Sequence, residues 1–250
     1  MGTLYDGSTR NYSFLYDYST YASLWVAYPL SPSDLSGTEY SHSSWAKYSE
    51  IDADKQVDIS SAYGVSYTPT SYVNGNSYAR GHQVPDADRD HTTSTMLSQT
   101  YLSINSTPQI QNGFNGGIWQ NLENAIRTEV KDYGDTVYIT TGPVFQTVDG
   151  KESITYITNS GDSKKVPVPN YYYKVVLKVS GNNATAIGFW FEHKEYNKDV
   201  VGTEAADYAT YAVSVDEIEA KTGLDFFVNL SDDLEKSAEE NGSWTTFCDF

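Results

Sequence analysis

A histidine follows an arginine and a glycine at Arg80-Gly81-His82, and downstream Asn115, Glu123 and Arg127 fall in one short stretch. These residue types could together hydrolyse a phosphodiester. An imidazole that titrates near pH ~6.5 can accept a proton from water at neutral pH. A carboxamide oxygen suits a hard, partly hydrated cation such as Mg²⁺. Guanidinium groups offer a rigid fork of donors to phosphate. Each residue also has a plainer reading. A lone histidine is usually structural, Asn115 between Gly113 and Gly116 suits a turn, and Glu123 with Arg127 suits an i,i+4 ion pair on a helix. His42, His91 and His193 lack the company that singles out His82.

The elements that must position these residues are visible as periodicities. Ile118, Leu122, Ala125, Ile126 and Val130 predict a helix over residues 117–131, with Glu123 and Arg127 on one face. Residues 24–30 read as a strand stopped by Pro29, and residues 135–141 as a strand broken by Gly142-Pro143. Residues 171–179 and 184–191, rich in aromatic and β-branched side chains, flank Ser180-Gly181-Asn182-Asn183 and predict a hairpin. Residues 213–222 predict a helix capped by Ser214 and stopped by Gly223. Residues 31–79 read mainly as a long irregular excursion, and residues 1–24 as an extended lead-in. Asp86, Asp88 and Asp90 alternate like the opening of a calcium loop, but His91 and Leu97 stand where that loop needs glycine and glutamate. Arg89 could pair with a carboxylate or with phosphate.

The 250 residues carry a formal net charge of −17 and a single cysteine, Cys248. A disulfide framework and a cysteine-based metal cluster are therefore excluded. No apolar run approaches the ~20 residues of a membrane span. The acidity argues against tight, general nucleic-acid binding, because polyanion affinity comes from neutralising phosphates. It leaves room for a local positive groove. The first residues show neither a charged nor an apolar leader run. The density of Tyr, Ser, Thr and Asn leads to the expectation of a secreted or periplasmic protein.

The segments in combination resemble the DNA/RNA non-specific endonucleases, the Serratia-type nucleases with a ββα-metal site. The resemblance rests on Ala79-Arg80-Gly81-His82, on Asn105-Ser106-Thr107-Pro108-Gln109, and on the run from Asn115 through Trp119 to Leu122-Glu123. Thr141-Gly142-Pro143-Val144-Phe145 and Thr222-Gly223-Leu224-Asp225-Phe226-Phe227 extend it to roughly residues 70–230. It implies a single α+β domain over residues 1–250, with a central, mainly antiparallel sheet carrying the ββα-metal element. It implies that His82 is the general base and that Asn115 ligates Mg²⁺, with Mn²⁺ or Ca²⁺ as substitutes. Glu123 would position water on the metal, Arg80 and Arg127 would stabilise phosphate charge, and Asn105 would orient the local backbone or His82. DNA and RNA would be the substrates. Ala79 departs from the family's aspartate, and no clear match for an upstream arginine stands near Trp45, where Lys47 or His42 are the nearest substitutes. Two other readings remain: a phosphodiesterase for small diesters on the same fold, and a non-catalytic secreted binding module.

Overall fold

The computed structural model describes residues 1–63, 65–67, 75–145, 153–158, 162–196 and 206–250. In chain order its strands are β1 (Gly2–Asp6), β2 (Thr9–Asp17), β3 (Ala22–Leu30), β4 (Tyr78–His82), β5 (Ser106–Ile110), β6 (Val137–Val144), β7 (Thr155–Thr158), β8 (Lys165–Val168), β9 (Tyr171–Ser180), β10 (Asn183–Glu192) and β11 (Ala212–Val213). Its main helices are α1 (Ser94–Thr100), α2 (Gln120–Tyr133), α3 (Val215–Thr222), α4 (Asp232–Glu239) and α5 (Trp244–Cys248). Seven strands form one sheet in the order β1-β2-β3-β6-β9-β10-β11, every neighbouring pair antiparallel. The α+β architecture expected from the sequence is the one observed.

Strand periodicity explains why this sheet is covered on both faces. Along β9, Tyr172 and Val176 enter a core shared with Leu122, Ile126 and Val130 of α2. The intervening Tyr173, Val175 and Leu177 enter a second core with Val215 and Ile218 of α3 and Ala238 of α4. The even positions Lys174 and Lys178 therefore lie under α2, and both are buried. Lys178 donates to Glu129 Oε1 and, at 2.8 Å, to the carbonyl of Phe247.

Several boundaries differ from the sequence reading. The supposed lead-in is two strands of the main sheet. Tyr12, Phe14 and Tyr16 alternate inward along β2, and the hydroxyls of the two tyrosines had made the segment look polar. Pro29 does not stop β3, and Gly142-Pro143 does not break β6. Each proline is the penultimate residue of its strand, where a missing N–H is tolerated. Helix α2 begins at Gln120, later than the apolar spacing suggested, because Gly116 and Gly117 hold non-helical angles in the preceding turn. By contrast α3 has the expected ends: Ser214 Oγ accepts from Glu217 N at 3.2 Å, and Gly223 closes it at φ +70°.

Arg89 pairs with neither a carboxylate nor an exposed anion. It is 2% exposed, and it donates to Asn11 Oδ1 (2.6 Å) and to the carbonyls of Asp88 (2.7 Å) and Pro29 (2.9 Å). Asn11, on β2, also donates to Met96 O and Gln99 Oε1, at 3.0 and 2.8 Å. One buried carboxamide thus joins the N-terminal strands to the segment that follows His82. Asn11→Ala should lower stability by about 2–3 kcal/mol or more, since a buried guanidinium nitrogen loses its acceptor. A urea midpoint equal to wild type at unchanged m would show that the N-terminal strands do not bear this load.

Candidate active site

Two antiparallel strands and one helix assemble the site. In the β4–β5 ribbon, Arg80 faces Pro108, Gly81 faces Thr107 and His82 faces Ser106. Gly81 is required by crowding: a Cβ there would lie 2.3 Å or less from the side-chain atoms of Gln109. After β5 the chain turns through Gln111–Trp119 into α2. Gly113 makes that turn at φ +84°, and a Cβ would meet the carbonyl of Tyr196 at 2.6 Å. The turn and first helical residues bring Asn115 and Glu123 across from His82. With Arg80, Asp86 and Trp45 they line a cavity of about 410 Å³.

His82 is half-buried, and its Nε2 is buried with no hydrogen-bond partner among the described residues. Its ring lies against Trp45 (centroids 4.6 Å apart) and edge-on to Tyr101 (5.0 Å). Burial lowers its pKa from the ordinary value to about 4, reinforced by the charges of Arg80 and His42 and opposed by Asp86. The carboxylate acting on His82 is therefore Asp86, which receives the Tyr101 hydroxyl at 2.7 Å. Burial alone would raise the Asp86 pKa, but His82, the Tyr101 hydroxyl and His42 bring it down. His42 Nδ1 lies 2.7 Å from the same hydroxyl and 3.1 Å from Asp86 Oδ2. Position 79, where the family has an aspartate, places only a methyl group in the lining.

Arg80 is held by neutral acceptors, the carbonyls of Ile59 (2.9 Å) and Ser60 (3.1 Å), and its guanidinium stacks 5.3 Å from the Trp45 ring. Trp45 is fixed in turn, because Ala46 N donates to Tyr101 O and Ser103 N to Ala46 O. Gln56 closes the excursion from within, bonding Tyr48, Ile51 and Ser103.

Glu123 is driven towards its neutral form by burial, with Lys174 and Arg127 opposing and Asp88 and Asp86 assisting. Burial lowers the pKa of Lys174, against the pull of Glu123. The Lys174 ammonium lies 4.8 Å from the Trp119 ring centroid.

The six residues singled out in the sequence divide into two groups. His82, Arg80, Asn115 and Glu123 meet at the cavity. Arg127 and Asn105 stand behind it. Arg127 donates to Asp88 Oδ1 and Asn124 Oδ1, each at 2.7 Å, and Asp88 also takes the Tyr28 hydroxyl. Asn105 is fully buried. Its carboxamide accepts from Val84 N (2.9 Å) and donates to Val84 O (2.9 Å) and Thr100 O (2.8 Å). It grips the backbone two residues beyond His82, not the imidazole itself.

Sequence reasoning missed Trp45, Asp86 and Lys174. Asp86 had a signal in the alternating aspartates, but the structure sends them apart: Asp86 to Tyr101, Asp88 to Arg127, Asp90 beside His91. Trp45 and Lys174 reach the site only through tertiary folding. Lys47 bonds Ala53 O and does not line the cavity. His193 is structural, with Nε2 accepting from Ile110 N and Nδ1 facing Pro169 O.

Residues 3–233 match the family described as DNA/RNA non-specific endonuclease. A nuclease of Nostoc sp. is 30% identical over 237 residues, covering 92% of this chain and 76% of that protein. Nuclease C1 of Cunninghamella echinulata is 34% identical over 163 residues, 62% of this chain, and the match spans only 59% of that relative's length. Among solved structures, a chain of the EndoG/EndoGI complex superposes with a TM-score of 0.71 at 21% identity, covering 93% of this chain and 88% of its own. That likeness is one of fold. The chain belongs to the DNA/RNA non-specific endonuclease family.

Proposed function

We propose that the chain hydrolyses phosphodiester bonds of DNA and RNA with little sequence preference, using His82 as general base and one divalent cation, Mg²⁺ in the first instance. The observation that carries this reading is that His82, whose buried Nε2 has no hydrogen-bond partner among the described residues, lines a cavity with Asn115, Glu123 and Arg80. A base must have a free lone pair facing its proton donor. The residues present fit a hard cation: Asn115, Asp86 and Glu123 offer oxygen atoms at one wall, and no thiol or second imidazole of the described residues lines the cavity. Asn115 would hold the ion, which when bound supplies charge neutralisation at phosphate oxygens and at the leaving 3′ oxygen.

The protein's own groups do the rest. His82, kept neutral by burial, takes a proton from the attacking water. Glu123 orients water by hydrogen bonding. Arg80 presents fixed donors to a phosphate oxygen. Asn105 and Arg127 position these groups, the first through the Val84 backbone and the second through Asp88 and Glu123. Gripping phosphate and cation requires no reading of base edges, which supports non-specificity. The Tyr- and Ser-rich composition supports a secreted setting.

Three outcomes test the reading. His82→Ala should keep the fold and lower plasmid and RNA cleavage by roughly 10²- to 10⁴-fold, and EDTA should abolish cleavage by wild type. Near-full activity of the variant would remove His82 from the chemistry, and cleavage of a small diester but of neither polymer would sink the nuclease reading. Because a base acts deprotonated and burial lowers the His82 pKa to about 4, the acid limb of kcat/KM should lie near that pH and not near ~6.5. A midpoint between roughly 6 and 7, measured where the protein stays folded, contradicts it. Arg127→Ala should cost about 3–5 kcal/mol of stability, because it strands buried Asp88. Arg80→Ala should lower the rate with far less effect on the urea midpoint. Equal stability of Arg127→Ala and wild type would contradict the positioning role.

A further inference from the structure

The face of the sheet opposite α2 carries a concentration of carboxylates with nothing to balance it. Asp216 and Glu219 lie one turn apart on α3, and Glu239 ends α4. One oxygen from each converges, all within 4.8 Å of one another. Glu239 is only 5% exposed, and its Oε1 is buried without a hydrogen-bond partner among the described residues. Glu235, one turn earlier on α4, has a second such oxygen. Glu219 spends one oxygen on the N–H of Phe226 at 2.7 Å. Among the described residues no lysine or arginine pairs with these four, and nearby Lys221 is taken by Glu217.

A buried carboxylate without a partner is costly. The charges of Glu219, Glu235, Asp216 and Asp225 all act against that of Glu239. Either protons or a cation must relieve this crowding. The convergence fits a cation, because ligand oxygens at roughly 2.3–2.6 Å from a calcium ion stand at most about 4.6–5.2 Å apart, and these three lie within 4.8 Å of one another. Asp216 is exposed and leaves one side open to water, which completes a coordination shell of six to eight oxygens.

We propose that Asp216, Glu219 and Glu239 form a calcium site, flanked by Glu235, that ties α3 to α4 on the face away from the cavity. Calcium suits it better than magnesium. Carboxylates drawn from two helices form an irregular oxygen cage, whereas magnesium demands near-octahedral geometry and gives up water reluctantly. The ion would clamp α4, which packs on β10, and so would act on stability and not on the chemical step.

The test is thermal unfolding and titration calorimetry of the full chain, stripped by chelation and then given CaCl₂ or MgCl₂. It is run in an Asn115→Ala background so that the catalytic cavity adds no metal response. Calcium should raise Tm in proportion to the logarithm of its excess, by roughly 5–10 °C at a hundredfold excess over Kd, and magnesium much less. Glu239→Gln and Asp216→Asn should each abolish the response; Asp216 is exposed, so its variant keeps the test available should Glu239→Gln fail to fold. No calcium response, or one that survives in these variants, overturns the site. Equal responses to both metals overturn the calcium assignment. Stabilisation on acidification from pH 8 to 6 without any calcium effect shows that protons, not an ion, relieve the cluster. Cleavage is not read, so failure here leaves the nuclease proposal standing.

Discussion

Two ammonium groups buried under one helix constrain this molecule more than any other interaction. Lys174 and Lys178 point from β9 to the same face, and burying a charge requires an opposite charge or good acceptors close by. Lys178 meets this locally, with Glu129 of α2 and the Phe247 carbonyl of α5. Lys174 has no hydrogen-bond acceptor among the described residues; it sits over Trp119 and is balanced electrostatically by Glu123. The helix that carries the site is therefore seated on the sheet by charge as well as by Leu122, Ile126 and Val130. Glu123 serves both purposes. It lines the cavity and its charge acts on the buried Lys174, while burial drives it towards its neutral form.

The β4–β5 ribbon answers the helix from the other side. A two-stranded ribbon is marginal alone, and this one is held at both ends. Asn105 bonds both polar groups of Val84, continuing the ladder past His82 with a side chain in place of a strand. At the other end Asn76 bonds the Asn112 backbone, fixing where β5 turns towards Asn115. The irregular excursion supplies the third wall. It places Trp45 against both Arg80 and His82, and it is anchored by backbone bonds to residues 101–103 and by Gln56. Long loops that surround a site in this way usually owe their order to a few buried polar staples.

What the sequence disclosed and what it withheld follow from the range of the interactions. The β9–β10 hairpin and the caps of α3 are local, and their residues announce them. Arg80, His82, Asn115 and Glu123, whose local sequence allowed plainer readings, were singled out by the family resemblance of their segments, and the four line one cavity. The N-terminal strands were hidden by tyrosines and Asn11, whose polarity is satisfied by partners distant in sequence: Met96, Gln99 and Arg89 some eighty residues away and, for Tyr16, Lys55. Trp45 and Lys174 escaped for the same reason, since each reaches the site across the tertiary structure, whereas Asp86, four residues from His82, was masked by its resemblance to a calcium loop. Arg127 was legible as a functional candidate, yet nothing local revealed that Asp88 and Asn124 occupy both ends of its fork.

The arginines bear on how a chain with a net charge of −17 would act on the polyanion proposed as its substrate. Arg89 is buried among carbonyls, and Arg127 is matched by Asp88, so neither adds a free positive charge to the surface. Arg80 is different. Its partners are two neutral carbonyls and an indole face, which hold its geometry without cancelling its charge. Among the described residues it is the cationic side chain lining the cavity. On the proposed function, Arg80 would offer its charge at the reacting phosphate, while the acidic net charge would oppose binding elsewhere along the polymer. Such a distribution lowers non-productive affinity, because general binding scales with the number of phosphates neutralised. It leaves transition-state stabilisation intact, since that depends on fixed donors at one phosphate.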